Sequence, residues 1–340
     1  MRVLVTGSAG FIGGYIVKEL LDKGHSVIGI DNLSKYGEVG VSFDDASDYE
    51  LITGDVQDVE LMSNLMQDVD HVIAGAAAIG GISYFHSYAY DLLANNERII
   101  ASTCDAAIKV IKAGGPLKKV TYLSSSMVFE STKKWPSVEG DEIVIPPPMS
   151  SYGFQKLAVE YFAKAAWDQY KVPYTILRPF NCVGIGERRA LGDIEIKSGD
   201  VKLAMSHVVP DLIQKILKGQ DPVHILGDGH QIRHYTYGGD LARGIVLAME
   251  SEKALNEDFN LSTNQSTTVL ELVEMVWKKI NPDKPLRTVS DPGFRYDVSK
   301  RIPSVKKAKE LLDFEATTSI ATMLDELIPW IKEMIDQGWI

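Results

Sequence analysis

Over the first half of the chain, short aliphatic and β-branched runs alternate with longer segments of helical period. Arg2–Val5, Ser26–Ile30, Asp70–Ala74 and Lys119–Leu123 read as strands. A helical pattern follows the first of them through Leu21, Leu92–Ala113 carries apolar residues at helical spacing, and another helix covers Tyr152–Tyr170. Strands and helices alternating from residue 2 to 178 predict a doubly wound parallel sheet with helices on both faces. After Asn181 the alternation breaks. The stretch 184–206 is polar and glycine-containing and reads as one long loop over a ligand site. Beyond it, His207–Gly219, Val269–Ile280, Ser304–Leu312 and Ile320–Asp336 read as helices, and Val223–Leu226 and Asp258–Leu261 as short strands. Pro282, Pro285, Pro292 and Pro303 punctuate the region between.

Composition narrows the class of protein. The 340 residues carry a formal net charge of -11, which argues against nucleic acid as a partner, because phosphate binding needs clustered Lys and Arg. No apolar run reaches the roughly 18 residues of a membrane span, so no membrane is expected as a partner. Met1–Val5 runs straight into a strand and leaves no room for a signal peptide. The two cysteines, Cys104 and Cys182, have no metal-ligand spacing; reduced thiols, a cytoplasmic location and no bound metal are the expectation.

Chemistry enters at the strand ends. Gly7, Gly10 and Gly13 follow the first strand and open the first helix, the context in which glycines let the backbone turn tightly and approach a pyrophosphate. Asp31 ends the second strand, where a carboxylate accepts ribose hydroxyls and repels a 2′-phosphate; NAD is therefore expected over NADP, although Lys35 is a cation nearby. Asp55-Val56 follows a further strand as a candidate adenine contact, and Ala76, Ala77, Gly80 and Gly81 leave room at the end of a fourth. Ser124-Ser125-Ser126 follows Lys119–Leu123. Tyr152 and Lys156 lie four apart on one helix face, where an ammonium favours the phenolate and makes the Tyr a candidate general base or acid. An isolated Tyr-x-x-x-Lys occurs on many solvated helices; the Ser before it and the glycines at the start give this one weight.

In this order, Thr6-Gly7-x-x-Gly10-x-x-Gly13, Asp31-Asn32-Leu33, Asp55-Val56, Ala76-Ala77, Ser124-Ser125, Tyr152-x-x-x-Lys156, Arg178-Pro179-Phe180-Asn181 and Gly227-Asp228-Gly229-x-Gln231-x-Arg233 resemble the extended short-chain dehydrogenase/reductases of the nucleotide-sugar epimerase/dehydratase family. The resemblance covers nearly the whole chain. It implies an α/β architecture: a Rossmann-like NAD-binding domain over 1–180, with 235–264 returning to it, and a smaller mixed α/β substrate domain over 181–340. It implies that Ser125, Tyr152 and Lys156 are catalytic, with Lys156 lowering the Tyr pKa. It implies that Phe11, Ile12, Asn32, Asn96 and Pro179 join the residues above in holding NAD. Ser126, Gly80 and Gly81 would meet the sugar; Asn181, Arg233 and Arg301, with Arg295 as an alternative cation, would bind the diphosphate. A homodimer through the helices at Leu92–Ala113 and Tyr152–Tyr170 is also implied. Ser126-Met127 departs from the acids and the Cys that relatives use to eliminate water or move protons beside a ketone. What remains is chemistry needing hydride and one hydroxyl proton: 4-epimerisation of a nucleotide-diphosphate sugar, or alternatively reduction or oxidation of a keto sugar or small carbonyl. His234, in the Arg233 motif, reads as a surface or packed histidine.

Overall fold

The computed structural model describes residues 1–79, 88–188, 190–191, 196–203, 207–293 and 298–340. A seven-stranded sheet forms its centre, in the order β13 (Glu257–Leu261), β6 (Tyr174–Pro179), β5 (Lys119–Leu123), β4 (His71–Ala74), β1 (Arg2–Thr6), β2 (Ser26–Asp31) and β3 (Tyr49–Thr53). All of its pairings are parallel. The strand order reverses between β1 and β4, the switch point at which open sheets of this kind leave a crevice for ligands.

Alternation along β1 shows why both faces need cover. Leu4 packs into one core with Val72, Ile100, Tyr122 and Val159, beneath α2 (Val59–Met66), α3 (Ala89–Lys112) and α4 (Ser151–Tyr170). Val3 and Val5 point the other way, into a core with Ile16, Val17, Leu20, Leu241 and Ile245, under α1 (Phe11–Asp22) and α6 (Gly238–Glu250). Burial on both faces explains why β1, β2 and β4 read as largely apolar runs.

A third core joins α5 (Val208–Leu217), α7 (Val269–Ile280) and α9 (Ile320–Asp336) through Leu212, Ile213, Leu272, Val276, Leu324 and Leu327. It is accompanied by two small sheets, β10 (Val223–Leu226) with β15 (Thr288–Asp291) and β11 (Ile232–Arg233) with β14 (Thr267–Thr268). The chain crosses between the cores more often than the sequence predicts. Besides α6 and β13, α8 (Lys306–Leu312) also returns: Ala308, Leu312 and Phe314 are buried in the core under the large sheet. The long loop of the sequence reading contains an antiparallel hairpin, β8 (Ile196–Ser198) with β9 (Val201–Leu203). Two remaining short strands, β7 (Cys182–Val183) and β12 (Thr236–Tyr237), pair in parallel and tie the end of β6 to the start of α6.

Candidate active site

A cavity of about 750 Å³ lies along the carboxyl ends of the parallel strands, at the β1–β4 switch. Its cofactor end is built by the turn after β1. Gly7 has φ +74, and a Cβ there would stand 2.9 Å from the Ala76 Cα. Gly13 is closer still: its Cβ would meet the Gly7 carbonyl oxygen at 2.0 Å. Gly10 is the N-cap of α1, with no side chain capping the helix and no acid in its first turn, which leaves backbone N–H groups at a positive helix end available to an anion. The Thr6 hydroxyl accepts from the Gly75 and Ala76 amides at 3.1 and 3.0 Å, fixing the end of β4 beside the glycine turn.

Asp31 stands at the cavity end of β2, its carboxylate accepting from Ala9 N at 3.1 Å and Leu33 N at 2.8 Å. Phe11, Ile12, Asn32, Asp55, Val56, Ala77 and Pro179 line the same cavity. Lys35 lines it too. Asn96 does not. It is 1% exposed, and its amide clamps the backbone, accepting from Ala78 N at 2.7 Å and donating to Ala78 O at 2.9 Å. Its neighbour Asn95 reaches the cavity instead.

At the other end, Ser125 ends the turn after β5 and starts a short 3-10 helix over Ser126–Phe129, its Oγ accepting from Met127 N at 3.2 Å. That leaves the Ser125 proton free to be donated, and its hydrogen bond with Tyr152 favours the phenolate. Ser150 caps α4, holding Tyr152 in the first turn, and Glu130 accepts from both Ser150 N and Ser150 Oγ at 3.1 and 2.8 Å.

Burial raises the Tyr152 pKa above its ordinary value, opposed by Ser125 and by the charge of Arg301. Lys156 Nζ donates to the Leu123 carbonyl at 2.9 Å, and burial pushes its own pKa down to about 8. Two of the ammonium's three protons remain for a ligand.

Asn181, Arg233 and Arg301 line the cavity together. Arg233 projects from β11, and the strip carrying Arg301 is fixed to the same strand, with Arg301 N donating to Ile232 O at 3.1 Å. Ser126 lies on the wall beside Met127. Gly80, Gly81 and Arg295 lie outside the described residues. His234 is a packed histidine: it is 3% exposed, and its Nδ1 meets Thr263 O at 3.0 Å. Sequence reasoning missed His207, which lines the cavity and pairs with the buried Glu187. The available signal was its place at the N-cap of α5, where the polar stretch ends. It also missed the buried Glu160 behind Ser125, Tyr152 and Lys156, and gave no role to Arg178, which is buried with it.

A glycine cradle that a Cβ would fill, an open helix N-terminus and a strand-end carboxylate fit a dinucleotide. A Ser–Tyr–Lys constellation facing two arginines fits an enzyme acting on a phosphorylated hydroxyl compound. The comparisons agree with that class. Residues 3–262 match the NAD dependent epimerase/dehydratase family, and the chain belongs to it. It is 29% identical over 345 residues to a UDP-glucose 4-epimerase of Halalkalibacterium halodurans, covering 98% of this chain and 96% of the relative. Among solved structures, a UDP-glucose 4-epimerase of Thermotoga maritima with UDP-glucose superimposes with a TM-score of 0.81 at 29% identity, covering 98% of this chain and all of that one. A UDP-glucuronic acid 4-epimerase of Bacillus cereus, in complex with UDP-glucuronic acid and NAD, does so with a TM-score of 0.80 at 26% identity, covering 98% and 100%. NAD is the cofactor of the family, and a nucleotide-sugar epimerase is the supported activity.

Proposed function

We propose that the chain inverts C4 of a nucleotide-diphosphate sugar through a transient 4-keto sugar. The observation that carries this reading is the distribution of acids. Among the described residues lining the cavity, the carboxylates are Asp31 and Asp55, both at the cofactor end. Around Tyr152 the walls carry Ser125, Ser126, Met127, Met149 and Asn181 instead. A thioether neither gives nor takes a proton, so these walls supply acid–base chemistry at one hydroxyl and leave elimination of water without a carboxylate.

NAD, when bound, supplies reversible hydride acceptance at the sugar carbon. Tyr152 takes the C4 hydroxyl proton and returns it to the oxygen on the opposite face. Ser125, its Oγ already accepting from Met127 N, donates to that oxygen and steadies the charge that develops on it. Lys156, anchored to Leu123 O, directs its other protons toward the nicotinamide ribose. Asn181, Arg233 and Arg301 grip the diphosphate and leave the sugar free to turn over between the two half-reactions. Gly7, Gly10, Phe11, Ile12, Gly13, Asp31, Asn32, Asp55, Val56, Ala76, Ala77 and Pro179 hold the cofactor. The active form in this reading is a cytoplasmic homodimer.

Proton NMR of the NAD-loaded protein with UDP-, dTDP- and GDP-sugars in turn tests the reading. A new anomeric signal from the C4 epimer, without net cofactor reduction, is expected. Net consumption of NADH with a keto sugar, or a stable 4-keto-6-deoxy product, overturns it.

A further inference from the structure

Directly behind the catalytic trio lies a buried ion cluster. Arg178 on β6 is fully buried, and it grips Glu160 of α4 with two parallel bonds, Nε to Oε1 at 2.8 Å and NH2 to Oε2 at 2.7 Å. The same NH2 lies 3.0 Å from Glu142 and 2.7 Å from Asp258. The guanidinium carbon stands 5.3 Å from the centre of the Phe129 ring. Glu160 Oε1 also accepts from Ser124 Oγ at 2.6 Å. The Ser124 hydroxyl has one proton and two acceptors in reach, and the other, Lys156 O, is at 3.3 Å; Glu160 therefore fixes its direction.

Several of its members adjoin residues of the active site. Ser124 precedes Ser125, and Arg178 precedes Pro179. Glu160 is one helical turn beyond Lys156, and Phe129 ends the short helix that begins at Ser126. A guanidinium among three carboxylates is weak evidence for stability, because desolvation offsets much of the attraction and apolar side chains of similar volume often serve as well. What such a cluster supplies is a fixed geometry between the elements it joins.

We propose that Glu160 and Arg178, acting through Ser124, are positioning residues that set Ser125, in the turn after β5, against Tyr152 on α4. The activity arms of the test rest on the epimerase reading; the spectroscopic arm does not. Loosening Ser124 lengthens the Ser125–Tyr152 hydrogen bond. The Ser125 hydrogen bond, which lowers the phenol's pKa, is then weakened while burial, which raises it, remains. The other charged or titratable groups around the phenol stay in place: Arg301, Lys156 one turn along, Arg233 and His207 across the cavity, and Glu130 under the start of the helix.

The test compares Ser124→Ala, Glu160→Gln and Ser124→Thr in the NAD-loaded enzyme. The protein carries 13C at the tyrosine ζ carbon, and the Tyr152 signal is assigned by its loss in Tyr152→Phe. In Ser124→Ala, kcat is expected to fall about tenfold, since small misplacements of reacting groups are costly. KM should stay within about twofold, the Tyr152 titration should move to higher pH, and Ser124→Thr should restore both. Glu160→Gln should move kcat and the titration the same way; if it does not fold, Ser124→Ala decides. Wild-type kcat and an unmoved Tyr152 titration in folded Ser124→Ala overturn the proposal. If the wild type turns over no nucleotide sugar, the epimerase reading fails, and the Tyr152 titration still decides whether the cluster positions the phenol.

Discussion

Gly7 and Gly114 offer a matched pair for testing how the cofactor cradle is built. Both have φ +74, a left-handed conformation that favours glycine. A Cβ at Gly114, just past the end of α3, meets nothing within 4 Å, whereas one at Gly7 stands 2.9 Å from Ala76 Cα and 3.0 Å from Ala76 N. Gly114→Ala thus carries only the cost of the backbone conformation, about 1–2 kcal/mol. Gly7→Ala adds overpacking against a backbone that cannot swing aside, because Thr6 Oγ1 holds the Gly75 and Ala76 amides. Overpacking of that kind costs about 1–3 kcal/mol, so the Gly7 variant should lose roughly 2–5 kcal/mol in all. The relief available is to push Ala76 and the glycine turn apart, which widens the cradle. NAD affinity should therefore fall at least about tenfold in Gly7→Ala and stay unchanged in Gly114→Ala. Urea melts without NAD and calorimetric NAD titrations read both effects. Equal losses of stability in the two variants, with equal NAD affinity, would refute the close-approach argument.

Three further outcomes follow from the same geometry. Tyr152→Phe should lower kcat about 10²–10⁴-fold in an NMR turnover assay while leaving NAD binding intact; near-normal turnover removes the acid–base role. Asp31→Ala should weaken NAD by about 1.5–3 kcal/mol, the worth of hydrogen bonds to a charged group, while NADP, no longer repelled and with Lys35 nearby, weakens less or gains; parallel losses in fluorescence titrations would count against the ribose assignment. Burial and the nearby Lys119 depress the His71 pKa to about 4, so between pH 6.5 and 4 the unfolded chain takes up a proton that the folded chain refuses. Stability should fall as pH drops through that window, by no more than about 3 kcal/mol from this group, and His71→Met should flatten that part of the urea-midpoint profile. An unchanged slope in the variant would assign the acid lability elsewhere.

The cofactor half was legible because its signals are local. β1, β2, β4 and β5 are runs largely buried on both faces, Gly7 and Gly13 have a steric reason, and Asp31 and Ser125 stand at or just past strand ends. The second half was less so. Thr288–Asp291 is exposed along most of its length and gives no apolar pattern, and the β8–β9 hairpin is hidden in polar sequence around Gly199, which has φ +58. The Glu160–Arg178–Ser124 cluster joins β5, α4 and β6 across the fold; no spacing in the sequence announces a contact between elements so far apart in the chain.

The two departures inside the site have a common physical origin. Successive residues on a helix are rotated by about 100°, so of Asn95 and Asn96 only one can face the cavity. The structure gives that place to Asn95 and turns Asn96 onto Ala78, where a buried amide can satisfy both its donor and its acceptor. Helical spacing likewise brings Lys156 to the face of Tyr152 without saying where its ammonium ends. A buried ammonium needs acceptors, and the nearest is the carbonyl of Leu123, two residues before Ser125. In both cases the side chain fixes backbone next to the site: Asn96 the loop after β4, Lys156 the end of β5. The contacts these residues make with the backbone therefore decide how closely the cradle and the Ser125 hydroxyl are placed, and a change at Asn96, which spares the cavity wall but breaks such a contact, should reduce binding as surely as changes on the wall itself.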